Sequence, residues 1–172
     1  MNKKLGWHFT AADCTLGYGD NRKVIAGQTI KHKYDEPLIM CRSGLHASKR
    51  VIDALAYAPG AYVWRVELGG EIVSGADKMV AMERTALWGY NAADVLHCFA
   101  RKCALDVVHL WDAPDVVVRY LKTGDESIVS AAYSAAYSAY SAAGSAAYSA
   151  AYSAARTTQS RRLASMISAG RE

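Results

Sequence analysis

Residues 41–50, CRSGLHASKR, gather side chains suited to holding an anion. A strand ends, Gly44 turns the chain, and a helix is expected to begin with Ser48 as its cap. A helix start offers free N–H groups and the positive end of the helix dipole, and Arg42, Lys49 and Arg50 add charge. A phosphate or carboxylate suits such a place. The residues expected to touch the ligand are His8, Arg42, His46, Ser48 and Arg50. A plainer reading stays open, in which Ser48 only caps the helix and Lys49 and Arg50 are only solvated. His8 lies in WHF (7–9) between two aromatics and reads either as a half-buried ring or as a pocket residue.

Other groupings carry less chemistry. His97, Cys98, Cys103 and His109 have the atoms of metal ligands. On one helix they point about 0°, 100°, 240° and 120° around the axis, so they do not converge, and no metal site is expected. Asp112 and Asp115 read as helix caps, and YGDNR (18–22) as a hairpin tip. The single GYG (17–19) lacks the rest of a dinucleotide fingerprint, and no Walker-type loop or GxSxG elbow occurs.

The elements that must position these residues are legible in outline. LGWHF (5–9) and EPLIMC (36–41) read as strands. KRVIDALAY (49–57) reads as a helix with Val51, Ile52 and Leu55 on one face, stopped by Pro59-Gly60. In AYVWRVELGG, Tyr62, Trp64, Val66 and Leu68 face one way and Arg65 and Glu67 the other. EIV and KMVAMERTALW read as two further strands. From Asn91 the period turns helical. Asn91 is a candidate N-cap, with Val95, Phe99, Cys103, Val107 and Leu110 on one face. A second helix restarts near Pro114 and ends at Gly124. Asp125 caps the next.

Ala, Ser and Tyr then dominate residues 130–156. Alanine is the strongest helix former and Ser costs little. At 100° per residue Tyr133, Tyr137, Tyr140, Tyr148 and Tyr152 fall within a stripe of roughly 120°. The step of three from Tyr137 to Tyr140 corrects the drift that strict steps of four would build up. Disorder, a membrane span and a packed helix are the three readings. The tyrosine phase opposes disorder, and a span needs about 20 strongly apolar residues, which the recurring Ser and Tyr deny. The packed helix needs a partner, either another copy of the chain or its own domain. Gly144 permits a close crossing or weakens the rod.

The chain has 172 residues, 52% of them apolar, with a formal net charge of +4. That supports a real core and permits an anionic ligand without calling for nucleic acid. MNKKLGWHF has no long apolar run of the signal-peptide kind. Cys14, Cys41, Cys98 and Cys103 form no CxxC pair and read as reduced, buried thiols. The expected fold is α+β. A β-rich part (1–88) and a helical pair (91–123) form a domain at 1–124, and a long C-terminal helix spans 125–169.

The order LGWHFT, SGLHAS, a helix at 49–57 and WRVELGG resembles the ADP-ribosyltransferase fold of the poly-ADP-ribose polymerase type. The resemblance implies NAD as cofactor, His8 and His46 lining the pocket, Ser48 or Arg50 on phosphate, and Glu83 as the acidic residue. His46 replaces an aromatic of that family, and Phe9 and Thr10 follow the first histidine. Along most of the chain, WHF, MCRSGLHAS, DALAYAPG, VELGGEIV, HLWDAPDVV, YLKTGDES and the Ala-rich tail resemble an uncharacterised family of phage and bacterial proteins. That implies a phage or prophage accessory gene acting in the cytoplasm of a bacterial host. The leading expectation is a binding protein without a catalytic residue or cofactor. It assembles through its Ala/Ser/Tyr helix, captures a nucleotide-like anion or host protein and counters host defence. An ADP-ribosyltransferase using His8, His46 and Glu83, and a purely structural assembly protein, are the alternatives.

Overall fold

An antiparallel five-stranded sheet occupies the N-terminal half of the chain, in a computed structural model that describes residues 3–33, 36–140 and 148–171, with the side chains of 137–140 and 148–157 outside that description. The strands are β1 (Lys4–Thr10), β2 (Thr29–Lys31), β3 (Leu45–Ala47), β4 (Tyr62–Ser74) and β5 (Met79–Asn91). The helices are α1 (Val51–Leu55), α2 (Ala93–Val107), α3 (Asp115–Thr123), α4 (Val129–Tyr140) and α5 (Tyr148–Ala169). The protein is therefore α+β, as its patterning predicts. Two units are distinct: 1–93 with 163–172, and 94–162. This differs from a division into 1–124 and 125–169. The helical pair groups with α4, and the last residues of the chain belong with the sheet.

Strand order is β1-β4-β5-β2, with β3 also pairing β5. The 3-residue strands β2 and β3 thus share one edge of the long β5. Beyond β3 the chain returns to β1. Trp7 N–H donates to Ser48 O at 2.7 Å and Ser48 N–H to Trp7 O at 2.9 Å, so the sheet curls toward closure. Gly6 permits this approach, since a Cβ there would sit 2.8 Å from the Ala47 Cβ. Two register shifts on the β4–β5 ladder, at Arg65/Val66 and Gly69/Ile72, bend the pair.

Trp64, Val66 and Leu68 are buried together with Leu45, Ala47, Met79, Ala81 and Ala86, the face expected from the alternation of β4. The opposite face is also covered. Trp7, Phe9 and Val63 are buried there, and so are Leu163 and Ile167 of α5. Tyr90 Oη donates to Ile167 O at 2.8 Å, and the Arg171 guanidinium lies 4.9 Å from the Trp88 ring centroid. Covering both faces explains why β1, β4 and β5 carry aromatics at adjacent positions. Each fully buried aliphatic side chain contributes about 1.5–3 kcal/mol.

Three local expectations fail. Residues 36–41 form no strand; Ile39 makes a single bridge to Ser43 and is 40% exposed. EIV does not start a new strand but continues β4 past its bulge. Ser48 does not cap α1, because its backbone is engaged by Trp7. Arg50 takes the N-cap position, with no side-chain cap bond.

In the helical unit, Asn91 Oδ1 accepts the Ala93 N–H at 3.1 Å just ahead of α2, as expected of a cap. Of the expected face only Phe99 is buried; Val107 and Leu110 are 41% and 63% exposed. The helix gives way there to a 3₁₀ turn, Val108–Leu110, which breaks the 3.6-residue period. Gly124 closes α3 in the left-handed region at φ 70°, and Asp125 Oδ1 accepts the Ser127 N–H at 2.9 Å. α3 packs on α4, where Ala132 is buried. The expected single rod would cross 141–147, which, with Gly144, lies outside the described residues. No described helix is long and apolar enough to cross a membrane.

If the end of α5 seals the sheet, Ile167→Ala should lower the stability of the sheet unit by about 2–5 kcal/mol in urea unfolding. Tyr133→Ala, at an exposed position, should change stability by no more than about 0.5 kcal/mol.

Candidate anion-binding site

Arg84 is a guanidinium inside the sheet unit, only 3% exposed. It stands on β5 opposite Leu68 of β4 and Ile30 of β2, so it shares the face of the buried cluster. Nη1 donates to the His46 carbonyl at 2.5 Å. Nη2 is buried and has no hydrogen-bond partner among the described residues. Burial pulls the pKa down to about 10, so the group is still charged at neutral pH. The carboxylate that acts on it is Asp20, but Asp20 is gripped by Arg22, with Nε to Oδ1 at 2.6 Å and Nη2 to Oδ2 at 2.7 Å. That places a second guanidinium beside the pair, and its charge opposes that of Arg84.

Two histidines complete the group. His8 lies on β1 opposite Trp64 and is half-buried. Burial is the main cause that drives its pKa well below 6.5, with smaller contributions from the charges of Arg84 and His46. His46 lies on β3. Its Nε2 accepts the Cys41 N–H at 3.0 Å, which leaves the other ring nitrogen as the N–H donor of the neutral tautomer. Burial lowers its pKa as well, with Lys78 and Arg84 adding to the effect and a bond to Gly44 opposing it. At neutral pH the cluster is one buried cation near two neutral imidazoles; both ring nitrogens of His46 are engaged, by the Cys41 N–H and by Gly44, which leaves His8 as the ring able to donate an N–H.

His8 and His46 of the expected ligand set thus meet. The other three members do not join them. Ser48 is buried at the β1 bridge. Arg50 spends its charge on Asp53, with Nε to Oδ2 at 2.6 Å and Nη2 to Oδ1 at 2.8 Å. Arg42 is exposed on the tight turn at 39–43. The helix start once expected to hold the anion belongs to a helix of 5 residues, too short for much of a dipole. Glu83 is also displaced from the proposed transferase set. It immediately precedes Arg84 on β5, so its side chain leaves on the opposite face, where Lys31 Nζ lies 3.3 Å away. Tyr133 is 75% exposed on α4. The side chains of Tyr137, Tyr140, Tyr148 and Tyr152 lie outside the described residues. Cys41, expected to be buried, is exposed, with φ 65°.

Among the described residues no three His, Cys, Asp or Glu side chains gather as metal ligands. Sequence reasoning missed Arg84, which stands next to Glu83 and Thr85 on β5 with no signal to set it apart.

The sheet and both histidines fall within one matched stretch. The chain belongs to the family described as Domain of unknown function (DUF7666), whose profile covers residues 7–98. The family stretch begins at Trp7, one residue before His8, and takes in His46 and Arg84. No curated protein and no solved structure matches the chain.

The lowered histidine pKa values fix a pH dependence. Above about 6.5 both rings are neutral folded and unfolded, and contribute nothing. As pH falls through 6.5 the unfolded chain takes up protons that the folded chain refuses, so stability is lost. Urea midpoints should therefore drop between about pH 7.5 and pH 5, and His8→Gln should flatten that drop. An unchanged slope in the variant would contradict the assignment.

Proposed function

We propose that the sheet unit captures a phosphorylated, nucleotide-like ligand at Arg84, with His8 as a flanking hydrogen-bond donor and the His46 carbonyl holding the guanidinium. The observation that carries this reading is the buried Nη2 of Arg84 without a partner among the described residues. Leaving such a charged donor unmatched costs several kcal/mol, and a ligand oxygen removes that cost. With the nearby carboxylate of Asp20 held by Arg22, a cationic site suits an oxyanion better than a cation or an apolar ligand.

Transfer of ADP-ribose from NAD would need an acidic residue at the same place. Glu83 lies on the other face and Asp20 is held by Arg22, so capture without transfer is the better-supported reading. The resemblance to phage proteins gives capture a purpose, the removal of a host signalling nucleotide in the bacterial cytoplasm. A second reading, self-association through the Ala/Ser/Tyr helix, is favoured by the exposed Tyr133 ring. Sedimentation equilibrium of the full chain should then show an oligomer, and Tyr133→Ser should weaken it; a concentration-independent monomer would remove this reading.

For capture, thermal unfolding with ADP-ribose, NAD, cyclic nucleotides and inorganic phosphate is the test. A ligand at about 100 times its dissociation constant should add about 2.7 kcal/mol. Arg84→Met should keep or raise the stability of the free protein, because a buried unpaired charge is replaced by an apolar side chain. It should also abolish the ligand shift. An undiminished shift in Arg84→Met would overturn the assignment.

A further inference from the structure

The helical unit, 94–162, holds a cleft of its own. It measures about 530 Å³ and is lined by His97, Arg101, Tyr120, Leu121, Glu126 and Val129 among others. That volume falls in the usual range for small-ligand clefts, about 300–1,000 Å³. α2 supplies His97 and Arg101, four residues apart and so on one face. α3 supplies Tyr120 and Leu121, and the 3₁₀ turn Glu126–Ile128 supplies Glu126. One full positive and one full negative charge thus face a lining whose surface is mostly apolar.

The guanidinium is placed by the backbone beneath it. Gly124 has φ 70°, and a Cβ there would lie 2.6 Å from Arg101 Cζ, so a larger residue would push the group aside. The last turn of α3 does not use this charge. Thr123 Oγ1 donates to Arg119 O at 2.8 Å, and the Gly124 N–H donates to Tyr120 O at 2.8 Å. Among the described residues neither Arg101 nor Glu126 makes a side-chain hydrogen bond or ion pair. Arg162 of the same unit, by contrast, is paired with Asp106.

The two charges are near each other without pairing. Gly124 and Glu126 are two positions apart in the chain, so their Cα atoms lie no more than about 7 Å from each other. The guanidinium rests on the first, while the carboxylate of the second stays beyond roughly 4 Å, the reach of an ion pair. A simple anion at Arg101 would be opposed by Glu126, and a simple cation at Glu126 by Arg101. A small molecule that carries both charges a few bonds apart satisfies both groups at once.

We propose that this cleft binds a free α-amino acid with an apolar side chain. The ligand carboxylate meets the Arg101 guanidinium, whose planar fork matches two carboxylate oxygens. The ligand ammonium meets Glu126. The ligand side chain lies against Tyr120, Leu121 and Val129, where aromatic or branched groups bury more apolar surface than polar ones. The site is separate from the Arg84 group and does not depend on nucleotide capture.

The test is calorimetry on the full chain with L-phenylalanine, L-leucine, and two analogues of the first that each lack one charge, phenethylamine and hydrocinnamate. Both amino acids should bind, and each analogue should bind about tenfold or more weakly than L-phenylalanine. Arg101→Gln should lose the preference over the amine, and Glu126→Gln the preference over the acid. Urea midpoints check that the variants are folded, and Glu126 is exposed, so Glu126→Gln carries the test where Arg101→Gln is destabilised. Equal affinity for L-phenylalanine and both analogues would overturn the proposal. So would a preference over the acid that survives Glu126→Gln, or no binding of either amino acid at millimolar concentration. None of these outcomes bears on capture at Arg84.

Discussion

A guanidinium held almost wholly out of water is the constraint around which the sheet unit is organised. Arg84 meets the His46 carbonyl on one side, while its other terminal nitrogen has no partner among the described residues. The carboxylate that acts on it, Asp20, is already committed to Arg22. A fold selected only for stability gains little from such a group, since an apolar residue of similar volume would pack with less desolvation. Departures of this kind concentrate where function, not stability, sets the residue. The histidines follow from the same constraint. A cation beside His8 and His46 helps to keep both rings neutral, and neutral rings can sit in a half-buried site.

The rest of the unit holds that group in place. β5 carries Arg84 and serves as the hub of the sheet, with β4 along one edge and β2 and β3 along the other. The Trp7–Ser48 bridge ties β3 back to β1, which draws His46 toward His8. The outer face is closed by Leu163 and Ile167, so residues far along the chain support strands that the family profile covers only to residue 98.

The architecture was legible where a strict period reaches the surface of the sequence. Alternation at 62–68 gave the buried face of β4, and Asn91, Pro114, Gly124 and Asp125 marked the helix boundaries through their backbone preferences. His8 and His46 were legible because their types are unusual beside aromatic and small residues. Arg84 was not. The β4–β5 bulges shift the phase of one strand against the other, and a bulge leaves no clear residue signature. Arg50 looked like a ligand because a short sequence window cannot show that Asp53 is buried beneath it. The α1 start looked like an anion site because five residues and a longer helix begin alike.

Nitrogen-15 NMR of the arginine side chains during titration with ADP reads the central claim most directly. The account predicts that the Arg84 guanidinium, slow to exchange and charged at neutral pH, shifts on ADP addition while the Arg50 signal stays fixed. Saturable binding that moves Arg50 or Arg42 and leaves Arg84 unperturbed would contradict it.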